Sequence, residues 1–116
     1  MKAVEQLERN YKTCTQVLKA LSDETRIKIV DMLCDGELCA CNILDNFNIT
    51  QPTLSYHMKI LTECGLVEGR KDGLWMRYSL KTENFEAVRN LFNHFCESAN
   101  ENRSNNCCEK KSGDDL

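Results

Sequence analysis

Thr50-Gln51-Pro52-Thr53-Leu54-Ser55-Tyr56-His57-Met58, then Cys64-Gly65, then Leu66-Val67-Glu68-Gly69-Arg70 and Leu74-Trp75-Met76-Arg77-Tyr78-Ser79-Leu80 make up the stretch that decides the fold. Thr50 offers a side-chain oxygen to cap a helix, and Pro52 fits the first turn, where a missing N–H has no partner to lose. Leu54, Met58 and Leu61 recur at three- and four-residue steps and predict an inward face, which Gly65 brings to an end. The next two segments alternate apolar and polar residues and are joined by Lys71-Asp72-Gly73, a hairpin signal.

Working outward, Glu37 to about Asn46 reads as a short helix with Ala40, Ile43, Leu44 and Phe47 on one side, separated from the helix after Thr50 by a break at Asn48-Ile49-Thr50. Before it, Ser22 offers an N-cap, Asp23 and Glu24 suit the positive end of a helix dipole, Ile27, Val30, Met32 and Leu33 supply a buried stripe, and Gly36 stops the helix. Residues 2–20 predict a first amphipathic helix through Val4, Leu7, Tyr11, Cys14, Val17, Leu18 and Leu21. Residues 83–97 predict a last one through Phe85, Val88, Leu91, Phe92 and Phe95. Two short helices, a tight turn and a hairpin are the parts of a winged helix-turn-helix. The expected fold is therefore mainly α (α+β): five helices and one β-hairpin wing. It forms one domain over residues 1–97, followed by a polar, aperiodic tail over 98–116 that we expect to be disordered.

At 116 residues the chain has room for one core and little else. No run approaches the roughly 18 apolar residues of a membrane span. Its N-terminus, Met1-Lys2-Ala3-Val4-Glu5, reads as a charged helix rather than an export signal, so a cytoplasmic protein is expected, with no membrane partner. Its eight cysteines are then thiols rather than a disulfide framework, and metal binding or redox sensing becomes their leading use. The net charge of −3 speaks against general nucleic-acid affinity, and residues 51–80 carry an excess of only one positive charge. No Cys-x-x-Cys on a strand-helix turn, phosphate-binding loop or Cys/His/Asp arrangement supports an enzyme.

In a winged helix-turn-helix the second of the paired helices enters the major groove and the wing touches the flanking backbone. Opposite Leu54, Met58 and Leu61 the helix presents Pro52, Ser55, Tyr56, Lys59 and Glu63, with Thr53 at its edge, and Gln51 joins the candidate DNA contacts. Thr53, Ser55 and Tyr56 can hydrogen-bond to bases, Lys59 can neutralise a phosphate, and Arg70, Lys71 and Arg77 give the wing sequence-independent affinity. Taken singly, the hydroxyl residues describe any solvated helix face; the order of elements favours DNA. His57 lies at the edge of the buried face, where a DNA contact and a hydrogen-bonded packing role are equally open.

Ala20-Leu21-Ser22-Asp23-Glu24-Thr25-Arg26, Glu37-Leu38-Cys39-Ala40-Cys41, Thr50 to Met58, and Cys64-Gly65-Leu66-Val67 together resemble the ArsR/SmtB metal-sensing repressors, over roughly residues 3–96. The resemblance implies a homodimeric repressor that leaves its double-stranded operator when a toxic metal or metalloid binds. Its Cys-x-Cys looks like the arsenic- and antimony-responsive branch. The inducer would be As(III) or Sb(III), with Cd(II) or Pb(II) as an alternative, and no resident cofactor is required. Where the family's arsenic motif often carries a further cysteine, three residues after the second, this chain has Leu44.

Soft ions favour thiolates over imidazole or carboxylate, which makes Cys39 and Cys41 the primary ligand pair. On an ideal helix residues two apart point about 160° from one another, so we expect them to chelate one ion only by distorting the helix that supports the DNA reader. A third thiolate or a second site has several candidates: Cys34 near the end of the preceding helix, Cys14 across a dimer, Cys96, and Cys107-Cys108 on the tail. A buried thiol serving as a small hydrophobe is the favoured reading for Cys64 and a strong one for Cys14 and Cys34. Zinc-type sites are poorly supported, since the last helix holds only His94 with Glu86 and Glu97. A thiol-based redox-sensing repressor of the same fold is the alternative function. The dimer is expected through the first and last helices, because Phe85, Val88, Phe92 and Phe95 follow a spacing suited to helix packing.

Overall fold

The computed structural model describes residues 2–105, with side chains over 11–102. Five helices and three strands follow one another as α1 (Lys2–Ala20), α2 (Glu24–Leu33), β1 (Leu38–Cys39), α3 (Ala40–Leu44), α4 (Gln51–Glu63), β2 (Val67–Asp72), β3 (Trp75–Leu80) and α5 (Glu83–Asn105). The expected winged helix-turn-helix is present: α3 and α4 are the paired helices and β2–β3 is the wing.

Val17, Ala20, Ile29, Leu33, Ile43, Leu54, Met58, Leu61, Leu66 and Val67 form one buried core, drawing on α1 to α4 and the start of the wing. The cap of α2 is Asp23 rather than Ser22: its carboxylate accepts from Arg26 N, while the Ser22 hydroxyl donates to Leu18 O. That register turns Arg26, Ile29 and Leu33 inward at three- and four-residue steps and leaves Ile27 half exposed, correcting its place in the expected stripe. Thr50 caps α4 as expected, accepting from Thr53 N.

The sheet has three antiparallel strands in the order β1-β3-β2. The β2–β3 turn is Gly73-Leu74, with Gly73 at φ +67°. Gly65 ends α4 at φ +81°, and a Cβ there would come within 2.4 Å of Asn84 Nδ2, which donates to Cys64 O. This bond ties the start of α5 to the end of α4.

Two further expectations need correction. The segment from Glu37 is not helical at its start: Leu38 and Cys39 are extended and pair with Tyr78 and Arg77 of β3. Only Ala40–Leu44 is helix, because the open edge of β3 supplies hydrogen-bond partners that a helix at that point would forgo. At the other end, α5 continues through Ser98 to Asn105 instead of stopping at residue 97. No Gly or Pro interrupts that segment, and extending a helix already nucleated costs little. α5 packs along α1.

Candidate thiol site and nucleic-acid interface

Cys39 occupies the N-cap position of α3, with extended backbone and a buried side chain, and Cys41 is half-buried in the first turn. Because Cys39 precedes the helix, the two sulfurs converge: Cys39 Sγ and Cys41 Sγ lie 2.7 Å apart, and Cys41 N donates to Cys39 Sγ at 3.4 Å. The expected divergence of about 160° does not occur. A bond from the Cys41 thiol draws the Cys39 pKa below the ordinary thiol range, aided by the Cys41 and Asn42 amides at the helix start and by Arg77; the same bond raises Cys41.

The other thiols lie apart from this pair. Cys14 is buried on α1, and burial raises its pKa; Cys64 caps α4, donates to Leu61 O and is likewise raised by burial. Cys34, the C-cap of α2, and Cys96 on α5 are exposed. Among the described residues no group of three or more His, Cys, Asp or Glu comes together as a metal site. Among the described residues, none of Cys14, Cys34 and Cys96 therefore stands in such a group with Cys39 and Cys41. Cys107 and Cys108 lie outside the described residues.

On α4, Gln51, Pro52, Thr53, Ser55, Tyr56 and Lys59 are all exposed, as the helical period predicts. His57 departs from the set: it is buried, and its Nδ1 lies 3.0 Å from Arg26 Nη1. Since a guanidinium can only donate, Nδ1 accepts and the ring proton sits on Nε2. His57 thus packs α4 against α2 and does not belong to the exposed face. Arg26, which the sequence showed only as part of a motif, also donates from Nε to Ala20 O at 2.6 Å, so it joins α1, α2 and α4.

In the wing, neither arginine is a free cation. Arg70 donates through Nε and Nη2 to the two carboxylate oxygens of Glu37, each at 3.0 Å, and Arg77 Nε donates to Asp72 Oδ2 at 2.6 Å. These pairs hold Glu37 and Asp72 below the usual carboxylate range. Lys59 and Lys71 form no ion pair among the described residues and remain available to a polyanion. A cleft of about 90 Å³ brings Ala40, the residue between the two thiols, against Gln51, Leu54, Ser55 and Met58 of α4 and Trp75, Met76 and Tyr78 of the wing.

These elements, a reader helix packed beside a wing, define a winged helix-turn-helix regulator. The chain belongs to the arsR family of bacterial regulatory proteins: the family profile matches residues 23–69. It is 49% identical over 74 residues to the arsenical resistance operon repressor of Staphylococcus xylosus, covering 64% of this chain and 71% of that relative. It is 53% identical over 64 residues to the protein of that same description from Staphylococcus aureus, covering 55% of this chain and 62% of the relative, slightly less than two thirds of its length. Among solved structures, an ArsR-like transcriptional regulator from Rhodococcus sp. RHA1 superposes with a TM-score of 0.68 at 27% identity, covering 81% of this chain and 90% of that one. Among the described residues no helix is long and apolar enough to cross a membrane.

Proposed function

We propose that this protein is a homodimeric transcriptional repressor that holds a two-fold operator through α4 and the wing and releases it when trivalent arsenic or antimony is captured by Cys39 and Cys41. The observation that carries this is the meeting of the two sulfurs at the start of α3, beside the helix that would read DNA. Similarity to repressors described as serving arsenical resistance operons supports the choice of inducer. Gln51, Pro52, Thr53, Ser55 and Tyr56 would face bases or sugar-phosphate, and Lys59 and Lys71 would contact phosphates. Arg70 and Arg77 would reach phosphate by exchanging a carboxylate for it.

Capture needs no unwinding of a helix to bring the thiols together. Each thiol replaces one hydroxide of arsenous acid, its proton leaving in water. Bonds from both sulfurs to one atom fix their separation and direction, so capture constrains the backbone at Cys39 and Cys41 that carries them. Ala40 stands between the two cysteines in the chain and lines a cleft with α4, so this constraint is delivered to the reader helix. Release follows if the bound form has the lower operator affinity, a coupling of about 5- to 150-fold in this kind of linkage. Cadmium and lead share the preference for thiolates. The third thiolate that pyramidal arsenic takes would come from the Cys107-Cys108 segment or from a second subunit.

A redox-sensing repressor is the second reading, favoured by the same adjacency of the two sulfurs, which a disulfide would join. The decisive experiment is operator binding by the full chain, under reducing conditions, with and without arsenite, antimonite, cadmium, lead or zinc, and separately with peroxide. Wild-type protein should lose affinity with arsenite, while Cys39→Ser and Cys41→Ser should bind DNA normally and ignore it. Release by peroxide alone would favour the redox alternative. A normal arsenite response from both serine variants, or loss of response only on replacing Cys107 and Cys108, would overturn the placement of the site.

A further inference from the structure

Glu37 stands two residues before Cys39 and grips the opposite side of the sheet. Cys39 is paired with Arg77, and Arg77 with Arg70, so the three form one row across β1, β3 and β2. Directly paired residues share a sheet face, as do residues two apart along a strand. Arg70, Arg77 and Cys39 therefore lie on one face, on which Asp72 bonds to Arg77 and Glu37 reaches past β3 to Arg70. The thiol strand is thus joined to the wing twice. One link is the short backbone pairing of Leu38 and Cys39 with β3; the other is the two-point fork from Glu37 to the outer strand.

We infer that Glu37 is a positioning residue that transmits occupancy of the Cys39–Cys41 pair to the wing, by pulling Arg70 and β2 along with β1. This rests on the capture of arsenite by those thiols. Drawing Cys39 and Cys41 onto one ion displaces Cys39, and Glu37, two residues before it and directly ahead of β1, moves with it. A bidentate carboxylate–guanidinium fork has a fixed planar geometry, so it passes a displacement on rather than absorbing it. The pair is solvent-exposed on the arginine side and contributes little to stability, which leaves the fold intact when it is cut.

The chain has a single tryptophan, Trp75, at the wing turn opposite Asp72, and its emission reports on the wing directly. The test compares full-length wild type, Glu37→Gln and the charge-reversed double variant Glu37→Arg with Arg70→Glu. Arsenite binding is followed by sulfur–arsenic absorbance, wing movement by Trp75 emission and, for wild type and Glu37→Gln, release by operator affinity with and without arsenite. Wild type should bind arsenite, shift its emission and lose operator affinity. Glu37→Gln should bind arsenite within about threefold of wild type, yet lose the emission shift and retain less than about a fifth of the operator weakening. The reversed pair should regain the emission shift.

Equal emission shifts and equal weakening in wild type and Glu37→Gln would overturn the inference and leave the thiol sensor standing. Failure of wild type itself to bind arsenite or release DNA would overturn both. Arsenite binding weakened tenfold or more in Glu37→Gln would make Glu37 part of the capture site, and a reversed pair that stays silent would assign the effect to the carboxylate alone; either outcome overturns the proposed link.

Discussion

Arg26 does more than its place in the sequence suggests. Its guanidinium donates both to the carbonyl of buried Ala20 and to the ring of buried His57, so one side chain closes the corner between α1, α2 and α4. Replacing it leaves two polar groups away from water without their donor, which costs about 1–3 kcal/mol. Arg26→Gln should lower unfolding free energy by that amount in urea titrations, and a change under about 0.5 kcal/mol would show that the corner holds without it. A residue that caps a helix from extended backbone points elsewhere than one inside the helix, and that single change of conformation converts a divergent thiol pair into a convergent one.

The wing hairpin is the element whose charge pattern is most altered by folding. Arg77 donates to Asp72 and holds its carboxyl below the usual range, so folding is favoured by ionised Asp72. For a depressed carboxylate the contribution is complete above the unfolded pKa and is lost as pH falls through the lower, folded value. Trp75 emission should therefore stay constant as acid is added through the ordinary carboxylate range and change only below it. In Arg77→Gln the change should move upward toward the ordinary range. An identical acid titration in both proteins would mean that the pair does not form in solution. The alternating pattern and the glycine turn of this hairpin were readable from the sequence. The third strand was not, since two residues carry no periodicity and β1 exists only because β3 presents an edge beside it.

For the whole molecule, the last helix divides its apolar residues between two tasks. Phe85 and Val88 pack against the chain's own core, whereas Phe92 and Phe95 remain about half exposed, as do Tyr11 and Leu18 on the neighbouring α1. This leaves a surface on α1 and α5 suited to a second copy, in keeping with the dimer proposed here. Phe92→Glu with Phe95→Glu should sediment as a monomer with its far-ultraviolet spectrum unchanged. Its operator affinity should drop by roughly a hundredfold or more, because each half-site would then be bound without the local concentration set by the other. A double variant that remains dimeric would place the interface elsewhere.

Local pattern alone was enough for the order of five helices and a hairpin and for the face that α4 turns to solvent, and it singled out Cys39 and Cys41 as the candidate thiols. These are properties of local period and local motif. Tertiary structure alone decided that His57 turns inward to Arg26, that Arg70 and Arg77 are matched by Glu37 and Asp72, and that the two sulfurs meet. Each of these depends on a partner that pattern does not reveal: a guanidinium 31 residues away, a carboxylate 33 residues away, and a strand edge that keeps Cys39 out of the helix.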